Sequence, residues 1–520
     1  MSSPPSLPAV LPHVAIRPHA VRRRGVALFA AVAFVAQPLA PAMTDIGSLH
    51  AQSLAPRAQP LPDLGDESQA MLSPAQERKL GESVIRQIRA SGAYMDDPEV
   101  NDYLEELGHR LVAAVPEGGQ DFEFFAVPDP SINAFALPGG YVGVNTGLIL
   151  LAQNESELAG VLAHEISHVT QHHMTRMLAG QQRSLLLSLA ALAVAIVAAR
   201  SGGGQGASAA IASAQALGIQ SQLNFTREHE FEADRIGFQR LDAAGFDVTS
   251  PATFMERLQR ASRFAEGTSP SYLRTHPITY ERIAEAQSRA QGKPYRQIPD
   301  SLDFHLVRAL LRSYSGTPKE AVQGFENALA ERKFNSEIAA RYGLVASLLR
   351  GADYVRAKRE MATLEKMAPP HPMIDAMVGH VYLDAGDVDL AIKRFGTALA
   401  RYPNKMQLVY DYPEALLTAN RPKEAVAFLE RELVRFPNDG RLHRIAAKTY
   451  AALGKQMQQH RHQAEFYAWQ GDLRGAVTQL ELASKAVDGD FYQASVVETR
   501  LRTLRQELQE QQRAGITRNG

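Results

Sequence analysis

The sequence predicts a mainly α chain in two folded parts: an α+β domain carrying a small edge-strand sheet, and behind it an all-α repeat solenoid. Three observations predict it. Two β-prone runs flank a Pro138-Gly139-Gly140 turn inside an otherwise helical first half; His164-Glu165-Ile166-Ser167-His168 falls on residues with helical spacing; and from about Asp303 onward alanine and proline recur with a fixed period.

The chain has 520 residues, too many for one ordinary domain, and its hydrophobic content of 45% supports sizeable cores. We divide it into a signal peptide and leader (1–51), a linker (52–73), a first domain (74–300), a repeat domain (301–513) and a tail (514–520). Charges nearly cancel, 55 basic against 56 acidic, and no basic stripe interleaved with aromatics is present, so nucleic acid is not an expected partner. The absence of cysteine removes disulfides, thiolate metal sites, cysteine nucleophiles and a lipid-anchoring cysteine. Any metal must be held by His and carboxylates.

In chain order, Arg17 and Arg22 to Arg24 form a basic region ahead of the apolar Gly25 to Ala36, the pattern of an export signal. Cleavage after Ala42 and cleavage after Ala51 both fit; the alternative is an N-terminal membrane anchor, for which the apolar run is short of the roughly 20 residues a span needs. After a Pro-rich spacer, amphipathic helices are expected over Pro74 to Arg89 and Pro98 to Val115, then a short strand over Phe122 to Val127. Ser131 to Val144, with its Pro-Gly-Gly turn, reads as a hairpin or bent edge strand, which can add an extended peptide by backbone pairing. Glu155 to Leu178 has continuous helical spacing. Ser184 to Ala199 is uncharged and is followed by the Gly-rich Ser201 to Gly206; it fits a buried or membrane-grazing helical hairpin, or a short membrane span.

Ala357, Ala391 and Ala425 are spaced by 34 residues, as are Pro369, Pro403 and Pro437. A helix-turn-helix period of this length, with a small residue where two helices approach and a Pro closing the second, resembles the tetratricopeptide repeat. Looser copies begin at Thr317 to Ala321 and at Gly471 to Ala476, and Ser495 to Arg513 reads as a charged capping helix. Such a solenoid presents a concave surface, which implies a protein or peptide partner.

The chemistry lies in the His-Glu helix. Positions i and i+4 are about 40° apart around a helix, so His164 and His168 can share one ion, while Glu165, rotated by about 100°, reaches a water on that ion as general base. With 16 His in the chain, and Glu at a frequency of roughly 0.06, such a pattern is expected by accident about 0.03 times, so a third ligand must corroborate it. Glu228-His229-Glu230-Phe231-Glu232-Ala233-Asp234 supplies one: Glu230 as metal ligand, with Asp234 one turn on to accept the free ring N–H of a metal-bound His. One Zn2+ per chain is the expected cofactor. His172 continues the i+4 ladder from His168 but stands a turn farther along, where it would crowd the same ion, and reads as a surface residue; His109, His173 and His229 show no partner at ligand spacing, and His460 and His462 are expected to be solvated.

These residues resemble the zinc endopeptidases that include the CAAX prenyl protease and the HtpX heat-shock membrane protease. Their signature, His-Glu-x-x-His followed by Glu-Phe-x-Ala-Asp, is matched at His164 to His168 and at Glu230 to Asp234. The resemblance implies a zincin-like metallopeptidase domain, with the Asn-Ala-Phe-Ala strand (Asn133, Ala134, Phe135, Ala136) beside the substrate. Together with the export signal and the repeats, the sequence is most similar to the periplasmic, repeat-bearing members that act on outer-membrane proteins. That likeness implies unfolded or misassembled outer-membrane proteins as substrates, a chaperone role in their assembly, and contact with the β-barrel assembly machinery and the lipopolysaccharide translocon through the repeats. It also implies a peripheral membrane contact, and His276, in Arg274-Thr275-His276-Pro277, as a fourth ligand or regulatory switch at the metal.

Overall fold

The computed structural model describes residues 73–115, 121–179, 227–264, 271–294 and 298–513. The expected leader and linker, the Ser184 to Ala199 run and its Gly-rich tip lie outside the described residues.

Helix α1 (Pro74–Ala90) starts at a capping box in which Ser73 and Gln76 satisfy each other's backbone N–H groups, and α2 (Pro98–Ala114) starts at Asp97, whose carboxylate accepts from Val100 N. Both have Pro in the first turn, where its missing N–H costs nothing. Strands β1 (Glu123–Val127), β2 (Ala134–Leu137) and β3 (Tyr141–Asn145) form one sheet in the order β1-β3-β2. β2 and β3 are the expected hairpin, in register from Leu137 opposite Tyr141; β1 pairs parallel to β3. Gly139 and Gly140 turn the corner at φ +77° and +88°, and a Cβ on Gly140 would meet the Asp121 carbonyl at 2.0 Å, so neither position tolerates a side chain.

The period of two along each strand divides the sheet's contacts. Phe125, Val127, Phe135, Leu137 and Tyr141 pack with Val84, Ile85 and Ile88 of α1. Phe124, Ala126, Ala134, Val142 and Val144 join a second core with α2 and α4. After α3 (Thr146–Leu151), α4 (Glu155–Thr170) is capped by Asn154 and buried on every side from Glu155 to Val169 except at Gly160. It does not run on to Leu178 as its spacing predicted. His172 takes a left-handed conformation (φ +51°) and a separate α5 (His173–Ala179) begins behind it.

α6 (Arg227–Ala243) lies against α4, close enough that a Cβ on Gly237 would stand 3.2 Å from His164 N. Arg240 of α6 is fully buried and donates from Nη1 to the Leu111, Val112 and Val115 carbonyls, satisfying the C-terminus of α2. α7 (Ser250–Phe264), the short α8 (Ser271–Thr275) and α9 (Tyr280–Gln291) complete this part.

Twelve helices, α10 (Leu302–Ser313) to α21 (Phe491–Arg513), form the repeats. Ala357, Ala391 and Ala425 are fully buried early in Tyr354–Met367, Val388–Arg401 and Pro422–Arg435, and Pro369, Pro403 and Pro437 each follow the end of the same helix. Ala476 is also buried, but it stands 51 residues after Ala425, one and a half periods, so the downstream copy is out of step with the others. α21 buries Val497, Leu501 and Leu504. His462 corrects an expectation. It is buried, not solvated: its Nδ1 lies 2.8 Å from His443 Nδ1 and its ring stacks on that of Tyr450.

The solenoid wraps its own first domain. Helices that open successive repeats close on α2 and the turn before it. Tyr314 Oη donates to Asp97 (2.7 Å), Tyr342 Oη to Glu99 (2.7 Å) and Met406 N to Asp102 (3.0 Å), while Arg441 pairs with Asp96 (3.1 Å). One hydrophobic core runs from Val100 of α2 to Val381 of the repeats. No helix among the described residues is long and apolar enough to cross a membrane.

Candidate metal centre

The fold brings four buried side chains to one point. α4 projects His164 and His168 from one face, α6 brings Glu230 opposite them, and the turn after α8 adds His276; one ligand atom from each lies within 4.8 Å of all the others. His164 Nε2 and His168 Nε2 are 2.9 Å apart and stand 3.6 and 3.5 Å from Glu230 oxygens. His276 Nδ1 is 3.3 Å from His164 Nε2 and 3.0 Å from Glu230 Oε1. Ligand atoms at 2.0–2.1 Å from a tetrahedral zinc are about 3.3 Å from one another. The donor set and its spacing therefore fit a tetrahedral metal ion with nitrogen and oxygen ligands.

Glu165 is 1% exposed, and neither of its carboxylate oxygens makes a hydrogen bond; the nearest ring nitrogen, His276 Nε2, is 3.5 Å away. A buried carboxylate left without a partner costs free energy unless something else occupies its reach.

Around the ligands stands a second ring of charges. Asp234, expected to hold a metal-bound His, has Oδ1 3.0 Å from His164 Nδ1. Arg282 of α9, which the sequence did not single out for a role, grips Asp234 through Nε and Nη2 (2.7 and 2.9 Å) and reaches Glu230 Oε2 with Nη1 (2.6 Å). It is fully buried. Arg282 also donates to the Pro277 carbonyl (2.9 Å), which ties the His276 turn to the site. Nothing local marks it, since its carboxylate partners stand 48 or more residues away; the His-Pro turn leading into an Arg-bearing helix is the one available signal.

His173 likewise escaped the spacing argument. It is wholly buried, with Nδ1 2.9 Å from His168 Nδ1 and Nε2 3.1 Å from Glu232. His172, expected to stay off the ion despite its i+4 spacing from His168, turns toward Glu77 (3.9 Å). His229 stacks on His173, ring centroids 4.5 Å apart.

The electrostatics follow. Burial opposes charge on His164, but Asp234 and Glu230 outweigh it and push its pKa up to about 10. His168, whose outer nitrogen meets an imidazole, is held well below the usual imidazole range by burial and by the His164 charge. Burial alone would raise Glu230; His276 and His164 bring it well below the usual carboxylate range.

Asn133 to Ala136 lie at the sheet edge beside α4: Asn133 and Ala134 are buried, and Phe135 packs on Phe125 with its ring against Gly143. The His276 segment reaches the start of this strand, where Tyr272 N donates to the Ile132 carbonyl (3.1 Å).

Comparison with known proteins decides the family. Residues 98–290 match peptidase family M48, and residues 382–449 match the tetratricopeptide repeat. The chain is 33% identical over 481 residues to the beta-barrel assembly-enhancing protease of Escherichia coli K12, covering 91% of this chain and 96% of that protein. The chain belongs to peptidase family M48. As an M48 peptidase it is a metalloendopeptidase with a tetratricopeptide-repeat domain. It is also similar to the putative beta-barrel assembly-enhancing protease of Vibrio cholerae, 34% identical over 84% of this chain and 90% of that one. The M48 part alone extends to a mitochondrial metalloendopeptidase OMA1 of Schizosaccharomyces pombe, 30% identical over 41% of this chain and 59% of that one.

Proposed function

We propose that the chain is a zinc endopeptidase of the bacterial periplasm that degrades misassembled outer-membrane proteins and also assists their assembly. The observation that carries the peptidase reading is the convergence of His164, His168 and Glu230 beside a Glu165 carboxylate with no hydrogen bond of its own. Zinc, when bound, supplies Lewis-acid polarisation of the peptide carbonyl and acidification of the attacking water. Glu165 takes the proton from that water and delivers it to the leaving amine. Asp234 fixes the ring of His164, and β2 offers its outer edge to an extended substrate, placing the peptide across the end of α4.

The barrel-assembly role is supported by the relatives' description and by their coverage of nearly the whole chain. The proposal extends to contact with the β-barrel assembly machinery and the lipopolysaccharide translocon through the repeats; the relatives' description supports a part in β-barrel assembly, and the repeat match supports protein contact. A latent enzyme acting mainly as a chaperone is favoured by one observation: a His276 ring nitrogen stands within reach of the same point as the other three ligand atoms, and as a fourth ligand it would leave no position for water. His276 is then the switch between the two activities.

The purified mature protein should bind one zinc per chain and cleave casein or unfolded outer-membrane protein. Glu165→Gln should lower cleavage by about 10²–10⁴-fold with zinc retained; equal cleavage by both forms refutes the assigned base. His276→Ala should raise activity several-fold in the same assay, and unchanged or lower activity removes the restraint from the account.

A further inference from the structure

We propose that His173 is a positioning residue for the metal centre: it accepts the outer N–H of His168 and carries that polarity to Glu232, so fixing which His168 nitrogen faces the metal. The inference rests on the zinc site described above.

The proton assignments follow from the distances. His168 turns Nε2 toward the other ligands, 2.9 Å from His164 Nε2 and 3.5 Å from Glu230 Oε1. A neutral imidazole that offers Nε2 as a lone pair carries its proton on Nδ1. That Nδ1 is 2.9 Å from His173 Nδ1, and two nitrogens at this separation share a single proton, so His173 Nδ1 must be the acceptor. The proton of His173 then sits on Nε2, 3.1 Å from Glu232 Oε2. Glu232, an acceptor only when ionised, is held in turn by Arg176 Nη1 at 2.9 Å. Reversing any one proton in this chain sets two donors, or two lone pairs, against each other.

The arrangement mirrors that of the other ligand. His164 Nδ1 meets Asp234 directly, and Arg282 holds Asp234. On the His168 side the end is again a carboxylate gripped by an arginine, but an imidazole is inserted as a spacer. The break at His172 makes this geometry: its left-handed turn folds His173 back against the end of α4, where an uninterrupted helix would carry position 173 away from His168. His229, stacked at 17° on His173, holds the ring plane.

The simpler account is that a fully buried His173 merely fills space. Two substitutions in the full-length mature protein separate the accounts. His173→Leu keeps the apolar volume and removes the acceptor; His173→Asn loses volume but places a carbonyl oxygen where Nδ1 stood. Zinc affinity is read by competition with a chromophoric chelator, and the ligand field by the visible spectrum after Co2+ loading. A positioning role predicts about 10–100-fold weaker zinc binding and an altered Co2+ spectrum for Leu, with Asn restoring much of both. Leu binding as tightly as the wild type, or Asn no better than Leu, overturns the proposal.

Nitrogen NMR of the zinc-loaded wild type tests it without any substitution: His173 should be protonated at Nε2 and His168 at Nδ1, and a proton on His173 Nδ1 overturns the assignment. Wild-type protein that takes up no stoichiometric zinc would instead defeat the zinc-site reading, an outcome distinct from failure of the His173 role.

Discussion

At the metal centre Glu230 and Asp234 stand beside a guanidinium and imidazoles, whereas where α2 meets the solenoid the buried Glu99 and the half-buried Asp102 meet neutral donors, a tyrosine hydroxyl and a backbone N–H. The cations that act on the second pair, His380 and Lys405, are themselves engaged by Asp411 and Glu106. The result is opposite. Despite burial, Arg282 and His164 hold Asp234 below the ordinary carboxylate range, while burial pushes Glu99 up to about 8 and Asp102 up to about 7. One place keeps its acids ionised for a cation to use; the other tolerates acids by letting them take up protons.

The largest effect that tests this contrast is at Arg282. Arg282→Met should lower the stability of the metal-free protein by about 3–5 kcal/mol in denaturant titration, since it strands two buried carboxylates. A loss under about 1 kcal/mol would show that the imidazoles alone suffice. Next comes Glu99→Gln, which keeps an acceptor for Tyr342. A carboxyl whose folded pKa is raised favours the folded state while protonated, so its contribution is complete below about 4.5 and is lost as pH rises to about 8. The substituted protein should match the parent near pH 4.5 and exceed it at pH 9 by up to roughly 5 kcal/mol, an upper bound from the shift. Parallel melting curves at both pH values would break the comparison. The smallest effect belongs to an exposed pair: Lys448→Ala, which removes the contact with Glu414 (3.0 Å), should change the melting free energy by under about 0.5 kcal/mol.

Legibility followed sequence distance and regularity. His164, Glu165, His168, Glu230 and Asp234 could be read because each pair sits at helical spacing, and the repeats because Ala and Pro keep a common register. The hairpin was marked by its Pro-Gly-Gly turn. What could not be read depended on breaks or on remote partners. His173 is placed by a left-handed residue that no hydrophobic period announces. Arg282 meets its carboxylates only in three dimensions. His462 is covered by His443 and Tyr450 from the preceding helix, contacts that its own polar flanks, Arg461 and Gln463, do not announce. The repeats were expected to offer a surface to a partner; that α2 of the same chain also lies against them could not be read, because the contacts join residues more than two hundred apart.

That enclosure also bears on how the molecule comes into being. Arg441 reaches back 345 residues to the Asp96 carbonyl, and Lys405 reaches 299 to Glu106. Any chain made from its N-terminus leaves part of α2 waiting: Asp97 and Glu99 meet Tyr314 and Tyr342 only after more than two hundred further residues, and Asp102 meets Met406 only after more than three hundred. Contacts of such long sequence separation close late and slowly. A chain stopped midway through the repeats thus lacks the contacts that Met406 and Arg441 make with Asp102 and Asp96, so the later repeats add to the support of the peptidase half.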